Sequence, residues 1–303
     1  MVPGMTVARQ APQDGTFPST CWECSAGCGA LLTVEGGRVT HVAPNTENPH
    51  SKGAFCVKGI RGAPGITYHS DRLLYPQRRI GGRGEGKWAR ISWDEALEEM
   101  ADRFAAIRRE HGAGALVAAT SGAYFSRSLI TALMMRSIGS PNWMINQDLC
   151  GGCRAVSARA TGLNISRGED IDHTRCALIV GRNSAIADPV EWAALKRAKK
   201  AGARMIVVDI KRTPMMEIAD LWLKPRVGTD AALALAMIHV MIREGLYDKA
   251  FVERWCHGFD ALAGRVAAFT PERAEAITGV PANDIETATR MYADGPSTFV
   301  SGH

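Results

Sequence analysis

The 303-residue sequence contains no stretch of about 18 consecutive apolar residues, which excludes an evident membrane-spanning helix. Its first 20 residues hold neither an apolar run nor two adjacent arginines, so they show no export signal. Excess charge is small as well: 36 Lys+Arg against 31 Asp+Glu gives a net charge of +5, which does not indicate general binding to nucleic acid. These absences predict a cytoplasmic protein with no membrane segment of its own and no nucleic-acid partner.

Cysteine, in contrast, is plentiful, with eight residues. Because a cytoplasmic location disfavours disulfides, we expect these cysteines to bind metals or to take part in catalysis. Cys21, Cys24 and Cys28 lie within eight residues, and 27 further residues separate Cys28 from Cys56. Three clustered thiolates and a distant fourth are typical of the ligands of a four-iron, four-sulfur cluster. A structural zinc site is the alternative, although zinc sites usually use two cysteine pairs.

After this cysteine-rich segment, short apolar runs alternate with helical patterns. Ser92 and Glu95 form a capping box ahead of a helix that Gly112 is expected to end. Strands are predicted at 115–119, 176–180, 205–208 and 296–303, and helices at 128–138, 190–200 and 229–244, with several short helices up to about 293. This alternation predicts an α/β fold with a mostly parallel sheet.

The pattern divides the chain into four expected segments. They are a flexible tail (1–18), a small iron–sulfur domain (19–75), the first part of an α/β domain (76–145) and a Rossmann-like α/β domain (146–303). Within the iron–sulfur domain, Gly36-Gly37 separates two short apolar runs and predicts a β-hairpin. The last residues resemble a strand that enters a turn, so we expect the final domain to be incomplete at its C-terminus.

The longest motifs resemble one known family. Its N-terminal signature is similar to Cys21–Gly29 and Gly53–Gly59, and further similar stretches are Trp88–Leu97, Gly139–Trp143, Ile206–Thr213 and Val227–Leu233. The family is that of the molybdopterin oxidoreductases, the dimethyl sulfoxide reductase superfamily, and the resemblance extends from about residue 19 to the end. It implies a [4Fe-4S] cluster followed by Rossmann-like domains that bind a bis-molybdopterin guanine dinucleotide with molybdenum or tungsten.

The resemblance implies two catalytic residues. Lys58 corresponds to a lysine between the cluster and the pterin, where a fixed cation eases electron transfer. Cys150 matches the protein ligand to molybdenum or tungsten, for which a soft thiolate is well suited. Cys153, one helical turn away, stays open as the alternative ligand, and a redox dithiol formed by the two cysteines is a further one.

Two loops after predicted strands are candidates for cofactor binding, because ligands of parallel sheets bind beyond the carboxyl ends of the strands, and the resemblance adds a third segment. Their residues are Gly181, Arg182 and Asn183, then Asp209, Arg212 and Thr213, and finally Gly228, Thr229 and Asp230. The resemblance implies that they hold the pterin dinucleotide, with Arg182 and Arg212 at its phosphates and Asp230 at its guanine. Asp230 could instead only cap the following helix.

The activity implied by the resemblance is an oxidoreductase that transfers electrons between a small-molecule substrate and the [4Fe-4S] cluster, and from there to an electron-transfer partner, an iron–sulfur protein. Formate dehydrogenase-like, polysulfide or thiosulfate reductase-like and acetylene hydratase-like branches all resemble the chain. The hydratase branch has an aspartate after the second cluster cysteine, whereas this chain has Ser25. Hydration therefore ranks below redox chemistry, and a non-catalytic iron–sulfur electron-transfer subunit is another alternative.

Members of the family are normally longer, which predicts a truncated reading frame or a second chain that supplies the C-terminal half.

Overall fold

The computed structural model describes residues 13–120, 125–145, 151–162 and 170–302. The chain forms two compact units: one consists of the chain up to Ala43 with residues 57–165, and the other of residues 44–56 with the chain from Ser166 onwards. Residues 75 and 145, after which domain boundaries are expected, both lie within the first unit, and the expected domains stay a prediction. Composition changes at those positions, but tertiary contacts continue across them.

The first unit begins with a three-stranded sheet of strands β1 (Gly15–Thr20), β2 (Gly29–Glu35) and β3 (Arg38–Pro44). Gly36 and Gly37 connect β2 to β3 with φ angles of 57° and 76°, so the predicted hairpin is confirmed. Residues 15–18 of the expected tail belong to β1, which pairs antiparallel with β2 along its whole length. Composition does not reveal this strand, whose backbone groups are satisfied by a partner further along the chain.

The rest of the first unit contains short elements around two longer helices. In chain order they are a π-helical turn Lys58–Gly62, α1 (Ala63–Thr67), β4 (Gln77–Arg79), β5 (Trp88–Arg90), α2 (Trp93–His111), β6 (Ala118–Thr120), α3 (Phe125–Ile138), β7 (Trp143–Ile145) and α4 (Gly152–Thr161). The capping box is confirmed: Ser92 Oγ accepts from the Glu95 N–H at 3.1 Å, and a Glu95 oxygen accepts from the Ser92 N–H at 2.7 Å. The strand expected at 115–119 begins only at Ala118, after a 3₁₀ turn.

The second unit is built on a four-stranded sheet in which every strand is parallel to its neighbours. The strands are β8 (Cys176–Val180), β9 (Arg204–Val208), β10 (Leu221–Leu223) and β11 (Ser297–Ser301), in the order β10-β9-β8-β11. The helices are α5 (Ser184–Ala187), α6 (Pro189–Lys200), α7 (Asp230–Arg243), α8 (Lys249–Trp255), α9 (Phe259–Val266), α10 (Pro271–Thr278) and α11 (Ala282–Ala293). The predicted α/β fold with a mostly parallel sheet is thus confirmed. No helix in the described ranges is long and apolar enough to cross a membrane.

Alternate residues of the central strands point to opposite faces of this sheet, as strand geometry requires. Leu178 and Ile206 pack in one buried cluster with residues of α7, α10 and α11, whereas Ile179 and Val207 pack in the other with α6. The chain leaves β8 toward β9 and β10 and then returns to the other side of β8 as β11. The strand order therefore reverses next to β8, and such a reversal is where doubly wound sheets bind ligands.

Candidate cofactor-binding site

The loops that follow β8 and β9 lie side by side at the carboxyl edge of the parallel sheet. The N–H of Gly181 donates to the carbonyl of Val208 at 2.9 Å, and the N–H of Asp209 donates to the carbonyl of Leu223 at 3.2 Å. These bonds continue the pairing of the strands by one residue. As a result, the predicted binding residues Gly181, Asn183 and Asp209 follow strands that end at a common edge.

Two buried polar atoms in these loops have no hydrogen-bond partner among the residues that the structure describes: Asn183 Oδ1 and Thr213 Oγ1. An unsatisfied buried polar group costs about 1–3 kcal/mol, so two in neighbouring loops require an explanation. Gly181, at φ 57°, has no atom within 4 Å of the position a Cβ would occupy. Unsatisfied polar atoms beside open space fit a bound group with its own hydrogen-bonding oxygens, such as a phosphorylated cofactor.

Arg182 differs from the expectation that it contacts phosphate. Its side chain is 7% exposed, and its guanidinium donates to Glu191 at 2.7 Å and to Asp188 at 3.3 Å. Asp188 also caps α6 by accepting from the N–H groups of Val190 and Glu191. With two carboxylates on it, the guanidinium holds the loop against α6. The sequence Asp188-Pro189 signals the start of that helix but not the ion pairs with Arg182.

The loop after β9 keeps its cation exposed. Arg212 lies on the surface, so its guanidinium is accessible to an anion at this edge. The adjoining backbone is fixed, because the Trp222 indole donates to the carbonyl of Asp209 at 2.9 Å and an Asp209 carboxylate oxygen accepts from the Lys211 N–H at 3.1 Å. The side chain of Asp209 thus stabilises its own loop.

Asp230 lies beside a cavity of about 310 Å³ between the sheet and α7. Asp230 supplies a carboxylate to a lining that is otherwise apolar: Leu178, Val180, Val208, Ala231, Leu233, Ala234, Met237 and Phe299. Asp230 is the first residue of α7 and not its N-cap, which is Thr229, whose hydroxyl donates to the Arg226 carbonyl at 2.6 Å. Asp230 thus lies in the first turn of the helix, and its carboxylate is positioned beside an apolar space that suits a flat ring.

The first three predicted cluster ligands lie in the connection between β1 and β2. The Cys21 N–H donates to the Cys28 carbonyl at 2.8 Å, which closes this short loop, and none of the three cysteines is in a disulfide. Cys56 is not in a disulfide either, and it belongs to the second unit. In the described ranges no group of three or more His, Cys, Asp or Glu side chains is arranged to hold a metal ion. The donor set, four cysteine thiols, suits iron–sulfur chemistry, and its assignment as the ligand set stays a prediction.

Of the two predicted catalytic residues, the structure describes Lys58 but not Cys150. Lys58 is exposed at the start of the π-helical turn, two residues after Cys56. Cys150 lies outside the described residues, and Cys153 is exposed on α4. Cys176 is fully buried in the core, where desolvation raises the pKa of its thiol to about 11, as is typical of a cysteine that packs.

The Gly139–Trp143 motif is anchored to the segment before and within β6. Ser140 Oγ donates to the Leu116 carbonyl at 2.7 Å, and the Asn142 amide donates to the Gly114 carbonyl at 2.6 Å. The Trp143 indole donates to Thr120 Oγ1 at 3.2 Å. These side chains hold β6 and β7 together, which is a structural role.

Two family models match the chain. The model described as molybdopterin oxidoreductase matches residues 72–295, and the model described as molybdopterin oxidoreductase Fe4S4 domain matches residues 15–66. The first match covers well over half of the chain, and the second begins at the first residue of β1.

Curated relatives and a solved structure agree with these matches. Acetylene hydratase of Syntrophotalea acetylenica is 37% identical over 90% of this chain, and the thiosulfate reductase molybdopterin-containing subunit of Salmonella typhimurium is 34% identical over 94%. Formate dehydrogenase H of Escherichia coli is 32% identical over 93%. The structure of acetylene hydratase from Pelobacter acetylenicus superposes with a TM-score of 0.84 at 35% identity, covering 93% of this chain and 40% of that chain.

The chain spans only about two fifths of the length of these relatives: 38% of the hydratase, 38% of the thiosulfate reductase subunit and 40% of the formate dehydrogenase. Within that length it contains both the iron–sulfur and the pterin-dependent parts that the family models describe. The chain therefore belongs to the molybdopterin oxidoreductases, and its cofactors are a molybdopterin and a four-iron, four-sulfur cluster.

Proposed function

We propose that this chain forms the N-terminal portion of a catalytic subunit with a bis-molybdopterin guanine dinucleotide centre of molybdenum or tungsten. The subunit transfers electrons between a small-molecule substrate and the [4Fe-4S] cluster. The observation that carries the proposal is the pair of buried, unpartnered polar atoms, Asn183 Oδ1 and Thr213 Oγ1, at the carboxyl edge of the parallel sheet. The family matches over residues 15–66 and 72–295 support it.

At this edge each loop contributes a different interaction with the dinucleotide. Thr213 Oγ1 and the Arg212 guanidinium donate to phosphate oxygens, and Gly181 leaves the space that close approach to the backbone requires. Asp230 accepts from the ring N–H and the exocyclic amine of guanine, while the apolar lining of the neighbouring cavity excludes water. Arg182 contributes indirectly, because its ion pairs keep the loop in place.

Cys21, Cys24, Cys28 and Cys56 hold the cluster, and Cys150 is the thiolate ligand to molybdenum or tungsten. When bound, the metal centre supplies two-electron chemistry and the cluster supplies one-electron transfer. Lys58 contributes a fixed positive charge close to Cys56 in sequence, which lowers the energy of added electrons nearby. A second iron–sulfur protein in the cytoplasm accepts or provides the electrons, and the C-terminal half of the site comes from further sequence or from a second chain.

Acetylene hydratase-like chemistry is the second candidate, favoured by the TM-score of 0.84 and the 37% identity to a curated hydratase. At the position where that branch has an aspartate, this chain has an exposed serine, Ser25. A hydroxyl of ordinary acidity does not replace a carboxylic acid in proton transfer. Redox chemistry therefore ranks first.

The proposal is tested by cofactor content. The chain is purified without oxygen from a host that makes molybdopterin, and iron, zinc, molybdenum, tungsten and guanine nucleotide are measured per chain, with paramagnetic resonance of the reduced protein. We expect about four irons per chain, which Cys56→Ser lowers and Cys256→Ser, at an exposed cysteine outside the motif, does not. Stoichiometric zinc with no iron after reconstitution would show that the cluster assignment is wrong.

The metal ligand is tested separately in the complete, metal-loaded subunit. Cys150→Ala should abolish turnover and leave the cluster signal intact, whereas Cys153→Ala should retain activity. The reverse result would assign the metal to Cys153. Full iron content with neither molybdenum nor tungsten in the complete subunit would favour a non-catalytic electron-transfer subunit.

A further inference from the structure

The segment 44–56, which ends at the fourth predicted cluster cysteine, packs with the second unit. Its turn is well ordered: the Asn48 side-chain oxygen accepts from the N–H groups of His50 at 3.1 Å and Ser51 at 2.9 Å, and Ser51 is 1% exposed. The segment that leads to Cys56 is therefore attached to the same unit as the candidate dinucleotide loops.

Lys52 has a backbone conformation that requires support. Its φ of 47° makes it the one non-glycine residue with positive φ among those described. The left-handed region costs an L-residue with a Cβ about 1–2 kcal/mol. Lys52 Nζ donates to Asp172 Oδ2 at 2.6 Å, and this contact bridges 120 positions of the sequence. Because the backbone of Lys52 is strained and its side chain contacts the distant Asp172, we infer that the folded structure fixes the position of Lys52.

Asp172 binds a second cation at the same time. Arg197, on α6, donates through Nε to Oδ1 at 2.9 Å and through a terminal nitrogen to Oδ2 at 3.1 Å. The hydrogen bonds from Arg197 and from Lys52 lower the pKa of Asp172 to about 2, so the carboxylate is charged under all ordinary conditions. Asp172 thus joins the segment before Cys56 to α6 by two charge-assisted contacts.

Helix α6 makes the equivalent contact with the dinucleotide loop. Glu191, in its first turn, accepts from Arg182 at 2.7 Å, and Asp188 at its N-cap accepts from the same guanidinium. Glu191 and Arg197 are six residues apart, which corresponds to about 9 Å along a helix. One rigid element therefore holds the Cys56 segment near one end and the Gly181–Asn183 loop at the other.

We propose that Asp172 is a positioning residue for the iron–sulfur cluster, because it fixes the segment that carries Cys56 on the helix that also fixes the dinucleotide loop. The inference rests on the proposed function, since it takes Cys56 as a cluster ligand. It assigns Asp172, Lys52 and Arg197 to the placement of Cys56 within the second unit, and not to contact with either cofactor.

The test compares the variant Asp172→Asn with the matched control Asp170→Asn, whose side chain is 72% exposed and pairs only locally with His173. Lys52→Met is the second variant, because it releases the segment and leaves the Asp172–Arg197 pair intact. The anaerobic, cofactor-loaded protein is assayed for iron loss to a chelator, for the paramagnetic spectrum and midpoint potential of the reduced cluster, and for guanine nucleotide content.

We expect Asp172→Asn and Lys52→Met to speed iron loss by about two- to fivefold, the size expected for loss of partly exposed ion pairs, and to change the cluster spectrum or potential. Lys52→Arg should restore both properties, and Asp170→Asn should match the wild type. Unchanged spectrum, potential and iron loss in both variants, with iron present in the wild type, would overturn the positioning role alone. A wild type without the cluster would overturn the proposed function together with this inference.

Discussion

Replacing Thr213 by valine should stabilise the cofactor-free chain and weaken its hold on the dinucleotide. The Thr213 side chain is 7% exposed, and its hydroxyl has no partner among the described residues. Valine keeps the branched shape and removes the polar atom, so the cost of burying that atom disappears. Given the usual cost of about 1–3 kcal/mol, we expect the free energy of unfolding to rise by about 1 kcal/mol.

In thermal unfolding this gain corresponds to an increase in Tm of about 2–4 °C for a unit of roughly 150–250 residues. In the loaded protein the sign reverses, because the variant lacks the hydrogen bond that Thr213 donates to the ligand. A hydrogen bond to a charged group contributes about 1.5–3 kcal/mol, so nucleotide retention should fall about tenfold or more. The assays are calorimetry of the cofactor-free chain and guanine nucleotide released per chain from the loaded one.

The matched control is Thr278→Val, at a fully buried threonine whose hydroxyl accepts from the Val280 N–H at 3.0 Å. The same substitution there leaves a buried N–H unsatisfied and should destabilise the chain by about 1–3 kcal/mol without changing nucleotide retention. If Thr213→Val destabilises the chain as Thr278→Val does, the Thr213 hydroxyl has a partner within the protein and the reasoning about the site is refuted.

Three further predictions use other features of the fold. Gly181→Ala (φ 57°) and Gly202→Ala (φ 97°) both place a methyl group in open space on a left-handed backbone, so each should lower the free energy of unfolding by about 1–2 kcal/mol. Only Gly181→Ala should also lower the guanine nucleotide content, and equal contents in the two variants would contradict the binding role of that loop. Hydrogen bonds from Arg290 and then Arg243 lower the pKa of Glu244 from 4.5 to about 2, so its contribution to stability is present above pH 4.5 and is lost as the pH falls toward 2. Between pH 6 and 2.5 the free energy of unfolding should therefore fall less steeply for Glu244→Gln than for the wild type, and an equal slope would argue against this ion-pair network. Ser92→Ala removes the N-cap of α2 and should lower the free energy of unfolding by about 1 kcal/mol in urea titration, whereas Ser70→Ala, at an exposed loop serine, should have little effect.

Much of the fold could be predicted because the decisive interactions are local. The Ser92–Glu95 capping box involves two residues of one turn, and the buried strand at 176–180 is a continuous apolar run. Strand β1 could not be predicted in this way, since its order comes from pairing with β2 and its own composition is polar. The compact units likewise depend on contacts that composition does not record.

The candidate site, too, could be predicted from the sequence only in part. Glycine and polar residues after buried strands indicated the loops after β8 and β9, which adjoin one another at the carboxyl edge. The sequence could not show that the Arg182 guanidinium faces Asp188 and Glu191, or that Lys52 contacts Asp172 across 120 positions, because side-chain direction and long-range pairing depend on the folded chain.

The strand order has a consequence for the kinetics of folding. Strands β8, β9 and β10 follow one another closely, whereas β11 pairs with β8 only after more than a hundred intervening residues. Closing so long a loop is slow and entropically unfavourable, so we expect β8–β10 with α6 to form early and β11 to dock last. Only the docking of β11 establishes the reversal of strand order beside β8. During synthesis on the ribosome the crevice would thus be completed only after Ser301 has emerged.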